Sequence, residues 1–335
     1  MGVTRKPAGE GADGATAPGG EPTVVYITGS GRSGSTLLER ALGSAPGLVN
    51  VGELFDIFRR DAAQTERCGC GEPFATCPFW AEVARRAFGD WDSERSVAIQ
   101  RLRAHLAKQR QIPRLVAMPL AGRGFRADVA RYGSAYATLY RAIATEAGVS
   151  HIVDASKWPM QALVLSQAGI DIRLIHLVRD VRGVAYSLSK QGVHRPQALD
   201  GTEVMWTKGP AAAATKWSLR QLDVELMRGC GLPIMRVRYD DFVQSPRRVT
   251  ELVLTWLGLP YRPADLEHLG EGRMTLGPSH GLAGNPSRVR NGEITLRADE
   301  AWRDDLSRRD YRLITTIGFP LILRYGWRPG RRAWS

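Results

Sequence analysis

A glycine-rich loop between a strand and a helix is the feature that most constrains this chain. Residues 23–28 (TVVYIT) are typical of a buried strand, and residues 29–36 (GSGRSGST) follow directly. Apolar residues then recur at helical spacing from Leu37 to Leu42. In such a loop the backbone N–H groups are free to face a ligand, and the helix N-terminus carries partial positive charge. The sequence therefore predicts an anion-binding site at the end of the first strand.

The rest of the chain alternates between strand and helix patterns. Further strands are predicted at residues 48–51, 151–154, 172–178 and 234–239, with helical stretches near 161–168, 183–190, 211–228 and 246–257. This alternation predicts an α/β, P-loop-like three-layer fold with a central, mainly parallel sheet. We expect a disordered Gly/Pro-rich tail over residues 1–22 and one domain over residues 23–335. A helical, cysteine-containing insertion is expected over about residues 55–148, lying over one edge of the sheet.

The spacing of the loop differs from that of nucleoside-triphosphate loops at one position. Those loops need a lysine directly after the second glycine, but Ser35 follows Gly34 here, and the loop's cation is Arg32. The lysine that usually binds the β- and γ-phosphates is therefore missing. A P-loop-like kinase or nucleotide hydrolase remains an alternative.

The charge of the chain also favours an anionic ligand. Lys plus Arg number 46 against 34 Asp plus Glu, a formal net charge of +12, and only six of the cations are lysines. Arginine prefers planar, two-pronged contacts with phosphate-like groups. A basic protein that binds nucleotides or nucleic acid is a second alternative, but no helix-turn-helix, zinc-finger or aromatic RNA-binding pattern accompanies the charge. Without a long apolar run or a secretory leader pattern, we expect a cytoplasmic protein with no membrane span.

Three motifs, in order between Val24 and Pro246, are shared with a known family. They are the glycine loop, the strand end and helix at residues 177–187 (LVRDVRGVAYS), and the strand end at residues 237–242 (VRYDDF). Together they resemble the sulfotransferases that use 3′-phosphoadenosine-5′-phosphosulfate (PAPS) as co-substrate.

The resemblance implies a set of residues that bind this donor. Gly31, Arg32, Ser33, Gly34, Ser35 and Thr36 would hold the 5′-phosphosulfate. Arg179 and Ser187 would hold the 3′-phosphate, with Tyr239 beside it. A weaker match at residues 284–290 (GNPSRVR) is similar to the family's late capping loop and adds Ser287 and Arg288.

The same resemblance implies the residues that perform the transfer. Glu53 is placed like the catalytic glutamate of the tyrosylprotein sulfotransferases, and Lys157 like their active-site lysine. Glu53 is therefore predicted as the base, with Lys157 and Arg32 supplying positive charge to the transferring group. No metal is expected for this chemistry.

The histidine and cysteine residues include another candidate for the base and a cluster of three thiols. His194 is a reserve candidate for the base, whereas His176 alternates within an apolar strand and is predicted as a core residue. The cluster Cys68, Cys70 and Cys77 has no histidine nearby in sequence, which does not fit the usual paired zinc spacing. Reduced structural thiols are favoured over a labile disulfide or a metal site.

The acceptor cannot be read from the sequence. A small molecule, lipid, sugar or peptide with a hydroxyl or amine group fits equally well, and the oligomeric state stays open. Nucleic acid is not expected as a partner.

Overall fold

The computed structural model of the protein describes residues 20–58, 66–91, 93–190, 204 and 207–328. Most of the predicted N-terminal tail, residues 1–19, lies outside the described residues. The strands are β1 Thr23–Gly29, β2 Leu48–Gly52, β3 His151–Lys157, β4 Ile172–Val178, β5 Ile234–Arg238, β6 Leu269–Gly270, β7 Arg273–Leu276 and β8 Gly292–Thr295. The α-helices are α1 Ser35–Gly43, α2 Pro78–Phe88, α3 Ser93–Leu106, α4 Ile112–Val116, α5 Arg123–Ala147, α6 Pro159–Gln167, α7 Val181–Ser189, α8 Pro210–Met227, α9 Tyr239–Gln244, α10 Pro246–Leu257, α11 Trp302–Asp305, α12 Arg308–Gly318 and α13 Leu321–Arg324.

The central sheet confirms the predicted fold class. Its strands lie in the order β2-β3-β1-β4-β5, and every neighbouring pair is parallel. Val24 of β1 is in register with Ile152 of β3 on one side and Ile172 of β4 on the other. β1 therefore lies in the middle, and the chain leaves it at the crevice where open α/β sheets bind their ligands.

Alternating side chains of the strands supply two separate hydrophobic cores. Val24 and Tyr26 of β1 face one core, whereas Val25 and Ile27 face the other. The first core includes residues of α2, α3, α5 and α6, and the second includes residues of α1 and α10. Because successive strand residues point to opposite faces, these runs of apolar residues predict a sheet covered on both sides.

The helical insertion is part of the domain's first core. Its longest helix, α5, has three tyrosine rings that are at most 1% exposed, those of Tyr132, Tyr136 and Tyr140. The Tyr140 hydroxyl donates to the Asp154 carboxylate of β3 at 2.7 Å. The insertion thus packs on one face of the sheet near β3, the neighbour of the edge strand β2.

A small antiparallel sheet, β6-β7-β8, was not predicted from the sequence. Its strands have only two to four residues each. Such short strands carry too little alternation to stand out from a loop. This sheet and α1 hold residues 277–291, called the late loop below, against the open end of the central sheet.

The C-terminal helices form a third core with α7 and α8. Trp217 of α8 and Ile314 of α12 are fully buried there. Among the described residues, no helix has both the length and the apolar character needed to cross a membrane.

His176 is a buried core residue, as predicted. Its side chain is 0% exposed, and its Nε2 lies 2.5 Å from Oε1 of Gln221. Burial lowers the pKa of His176 to about 4. The folded state therefore favours the neutral ring, and its stabilising contribution is complete above the unfolded pKa of about 6.5 and is lost as the pH falls towards 4.

We expect the free energy of unfolding to fall by about 2 kcal/mol between pH 7.5 and pH 5 because of this group. Urea unfolding of the wild type and of His176→Asn at both pH values measures the effect. The variant should lose the part of the pH dependence that comes from His176, about 2 kcal/mol, whereas the control His105→Gln, at an exposed position of α3, should keep it. Equal pH dependence in the wild type and His176→Asn would contradict the assignment.

Candidate active site

A pocket of about 740 Å³ opens at the carboxyl ends of the five parallel strands. Each strand delivers a predicted site residue there: Glu53 after β2, Lys157 at the end of β3, the glycine loop after β1, Arg179 after β4 and Tyr239 after β5. The predicted residues on its lining are Gly31, Arg32, Gly34, Ser35, Thr36, Glu53, Lys157, Arg179, Ser187, Tyr239 and Ser287. The structure thus brings together eleven of the thirteen residues predicted from the sequence.

The glycine loop begins helix α1 in a conformation that requires glycine. Gly34 is the residue before the helix, with φ 87° and ψ 14°, and a Cβ there would lie 2.5 Å from the Tyr239 ring. Its carbonyl accepts the N–H groups of Leu37 and Leu38, each at 3.1 Å. The first N–H groups of a helix have no partner within it, so Ser35 and Thr36 present backbone donors at the pocket.

Arg179 lies between the glycine loop and Tyr239. Its guanidinium stacks 4.6 Å from the centre of the Tyr239 ring and donates to the carbonyl of Arg32 at 2.9 Å. The neighbouring Asp180 bonds to Arg182 and to the backbone N–H at the start of α7. The Asp299 carboxylate lies 3.4 Å from the Arg179 guanidinium, so this cation already pairs with one anionic group on that side.

Glu53 and Lys157 form an ion pair inside the pocket. The Lys157 ammonium donates to Oε1 of Glu53, and the two side chains are only 14% and 21% exposed, respectively. Gly52 makes this placement possible, because it has φ 80° and a Cβ there would meet the backbone of Leu282 at 2.1 Å. The backbone N–H of Glu53 then donates to the carbonyl of Leu282 at 3.0 Å. The pocket therefore holds a proton acceptor, the Glu53 carboxylate, directly beside a cation, the Lys157 ammonium.

A buried network under β3 sets the position of Lys157. Asp154 is fully buried and accepts hydrogen bonds from the Tyr140 hydroxyl, the Ser156 hydroxyl and the Ser156 N–H. Burial raises the pKa of Asp154 to about 6. The Ser156 hydroxyl in turn accepts the N–H of Phe55 at 2.9 Å. This network connects the end of β3 to the segment that follows Glu53.

Backbone strain is concentrated at this pocket. Within the part of the chain that the structure describes, three non-glycine residues have positive φ: Arg32 at 68°, Lys157 at 66° and Ala283 at 54°. All three line the pocket. Such conformations cost about 1–3 kcal/mol each and persist where the surroundings enforce them, often at functional sites. Two of the three are the cations predicted to act in transfer.

Ser33 and Arg288 are the two predicted residues that do not reach the lining. Ser33 is 1% exposed. Arg288 is also 1% exposed, and its guanidinium lies 2.6 Å from the fully buried Glu39 carboxylate of α1. The reserve candidate His194 lies outside the described residues.

The late loop is attached to α1 by two consecutive residues. Besides the ion pair of Glu39 with Arg288, Arg40 donates to the carbonyls of Gly277 and Ser287, both at 2.9 Å. The loop contributes Leu282, Ala283, Gly284, Asn285 and Ser287 to the pocket lining. Arg288 is thus placed to hold the loop that carries Ser287.

Sequence reasoning missed an aromatic and cationic group on the pocket lining. Phe55 and Trp158 stack at 4.6 Å with their planes 9° apart, and Arg220 lies 4.4 Å from the centre of the Trp158 ring. Lys216 is on the same lining, and burial beside Arg220 lowers its pKa to about 8. Lys216 is one of only six lysines in the chain, and this scarcity is the one sequence signal that could have singled it out. Phe55, Trp158 and Arg220 belong to no sequence motif.

The cysteine cluster has a histidine neighbour that the sequence did not reveal. Cys68, Cys70 and Cys77 are free thiols, and His280 of the late loop lies against them. More than 200 residues separate His280 from the cluster in sequence, so spacing alone did not connect them. The histidine that the cysteines lack in the neighbouring sequence is therefore present beside them in the fold.

Comparisons with known proteins agree with the motifs. Residues 22–263 match the sequence profile described as the Sulfotransferase family, and the chain belongs to this family. The solved sulfotransferase domain from the curacin biosynthetic pathway is 16% identical, with 92% of this chain and 98% of that chain covered and a TM-score of 0.48.

Two further bacterial structures are similar. The sulfotransferase domain of the Synechococcus PCC 7002 olefin synthase is 19% identical over 91% of this chain and 98% of that one, with a TM-score of 0.44. A sulfotransferase from Alicyclobacillus acidocaldarius is 12% identical over 89% and 96%, with a TM-score of 0.39. No curated protein matches this chain in sequence.

Proposed function

We propose that this sulfotransferase moves a sulfuryl group from PAPS to a hydroxyl or amine acceptor. The observation that carries the proposal is the Glu53–Lys157 ion pair in the pocket that the glycine loop also lines. A base and a cation at the same anion-binding loop are what sulfuryl transfer needs. Family membership supports the reaction class.

The donor set of the pocket fits both anionic ends of PAPS. The backbone N–H groups at the start of α1, with Arg32, suit the 5′-phosphosulfate. Arg179 and Ser187 line the same pocket and suit the 3′-phosphate. A guanidinium offers paired donors to phosphate oxygens, and the Tyr239 ring behind Arg179 fixes its plane.

The proposed reaction gives each catalytic residue one task. The acceptor's oxygen or nitrogen bonds to sulfur as the bond from sulfur to the 5′-phosphate oxygen breaks. Glu53 takes the proton that the acceptor loses, and adenosine 3′,5′-bisphosphate leaves. Lys157 and Arg32 stabilise the negative charge that develops on the transferring group and the leaving oxygen.

Phe55, Trp158 and Lys216 suggest where the acceptor binds. They line the same pocket as the ion pair but belong to neither phosphate-binding group. Aromatic faces favour flat or apolar groups, and the nearby cations favour an anionic substituent. An acceptor with an aromatic or apolar body and an acidic group therefore fits this part of the pocket.

Isotope tracing tests the proposal. The chain is incubated with PAPS labelled in the sulfate and with an extract of the producing cells or a panel of phenols, alcohols and amines. Mass spectrometry should show an acceptor that gains one labelled SO₃, and Glu53→Gln should strongly reduce this product. Phosphate transfer from ATP, with no sulfate transfer from PAPS, would overturn the proposal and favour the alternative that the protein is a P-loop-like kinase.

Turnover should not depend on added magnesium. The cations on the lining can neutralise the donor, whereas kinases and nucleotide hydrolases need Mg²⁺ to do so. Initial rates measured with and without added Mg²⁺, in protein freed of loosely bound divalent ions, should agree within about twofold. Activity that appears only on addition of Mg²⁺ would contradict the assigned roles of Lys157 and Arg32.

A further inference from the structure

Four metal-binding side chains converge outside the pocket. The Sγ atoms of Cys68, Cys70 and Cys77 and a ring nitrogen of His280 all lie within 4.8 Å of one another. Cys68 and Cys77 are fully buried, and none of the four residues lines the pocket. Three thiols and one imidazole are one of the usual ligand sets of structural zinc.

Three of the six distances between the ligand atoms match tetrahedral zinc, and the other three are at most 4.8 Å. Cys70 Sγ and Cys77 Sγ are 3.7 Å apart, and Nδ1 of His280 lies 3.5 Å from Sγ of both Cys68 and Cys77. With Zn–S about 2.3 Å and Zn–N about 2.0–2.1 Å, tetrahedral angles require about 3.8 Å between sulfurs and about 3.6 Å between sulfur and nitrogen. Three separations thus agree with a tetrahedral site to within about 0.1 Å.

The backbone around the cluster supports the ligands in these positions. The Cys68 N–H donates to the carbonyl of Glu72 at 2.8 Å, and the Gly71 N–H donates to the carbonyl of Cys68 at 2.9 Å, which closes a tight turn. The His280 ring stacks on Phe79 at 4.5 Å, and its carbonyl accepts the Trp80 indole N–H at 2.9 Å. The stacking fixes the plane of the imidazole, and the Trp80 hydrogen bond fixes the backbone that carries it.

We propose that Cys68, Cys70, Cys77 and His280 bind one structural Zn²⁺ ion that fastens the late loop to the insertion. The three thiols lose their protons on binding, and four protein ligands leave no open position for a substrate. The ion is therefore separate from the transfer chemistry.

The position of the site gives the ion its role. Glu39 and Arg40 of α1 hold the late loop at Gly277, Ser287 and Arg288, whereas His280, between these points, meets the insertion. There the Gly69 N–H donates to the carbonyl of Gly281 at 3.0 Å, and Leu282 pairs with Gly52 directly before Glu53. A zinc ion at His280 would thus fix the strand pairing that positions Glu53.

Metal analysis of the purified full-length chain tests the proposal. We expect about one zinc per chain in the wild type and at least a tenfold loss in Cys70→Ser and in His280→Gln. Cys230→Ser is the matched control, because Cys230 is not part of the cluster and lies in the short 3₁₀ turn Arg228–Cys230 after α8. This variant should keep its zinc.

Two measurements on the wild type avoid reliance on variants that fail to fold. Cobalt introduced in place of zinc should give the intense visible bands and thiolate charge-transfer absorption of a tetrahedral site. Displacement of zinc by a mercurial should increase hydrogen exchange in residues 277–290 at least tenfold. Zinc far below one per chain with no tetrahedral cobalt spectrum, iron in its place, an equal loss in Cys230→Ser, or unchanged exchange in the late loop would each overturn the proposal.

Discussion

Replacing Glu53 by glutamine should lower kcat by about 10²- to 10⁴-fold, the usual contribution of a positioned general base. The amide preserves the shape of the side chain but cannot take the acceptor's proton. Glu53 is not assigned to the nucleotide, so the affinity for adenosine 3′,5′-bisphosphate should change little. Single-turnover kinetics and calorimetry on the same preparation separate the two effects.

Because Glu53 and Lys157 form an ion pair, their substitutions should affect kcat in a coupled way. Lys157→Ala should also lower kcat, through lost charge stabilisation, and the double variant should lose less than the product of the two single losses because both residues act in one transition state. Glu66→Gln, another carboxylate on the pocket lining, is the control for removing a negative charge. Near-wild-type kcat in Glu53→Gln, or an equal loss in Glu66→Gln, would exclude Glu53 as the base.

Arg179→Ala should remove most of the preference for adenosine 3′,5′-bisphosphate over AMP. A charge-assisted contact contributes about 1.5–3 kcal/mol, so the ratio of the two dissociation constants should change by roughly 10- to 150-fold. The ratio is the appropriate readout because Arg179 also bonds to the carbonyl of Arg32 in the glycine loop. Damage to the loop would weaken the binding of both ligands alike, so it would leave the ratio unchanged.

Ser187→Ala is the matched variant for the same phosphate. Its side chain is uncharged, so the ratio should change by a smaller factor of about 2–10. A ratio in Arg179→Ala equal to that of the wild type would place the 3′-phosphate elsewhere.

The central sheet was predictable because β1 and β4 are almost fully buried and contain long apolar runs. The edge strand β5 alternates apolar residues with Arg236 and Arg238, and helical patterns separate all five strands. The small sheet β6-β7-β8 was not predictable, because its few residues are set by contact with α1 and with the late loop. The placement of the insertion on β3 likewise depends on pairings such as that of Tyr140 with Asp154, which connect distant segments.

The pocket lining likewise contains residues that could be predicted from the sequence and residues that could not. Glu53, Lys157, Arg179 and Tyr239 could be predicted, because each lies at or next to the carboxyl end of a parallel strand. Trp158 and Lys216 lie in no motif, and they reach the lining only through the packing of α6 and α8. The histidine beside the cysteine cluster was hidden for the same reason, since the contact joins segments 200 residues apart.

Calorimetric titration of the wild type with adenosine 3′,5′-bisphosphate, AMP and ATP with Mg²⁺ tests whether the pocket is a PAPS site. It needs no acceptor, and it asks whether the pocket recognises the nucleotide that PAPS leaves behind. We expect the bisphosphate to bind at least about tenfold more tightly than either AMP or ATP. Equal binding of AMP and the bisphosphate, or tighter binding of ATP, would contradict this expectation.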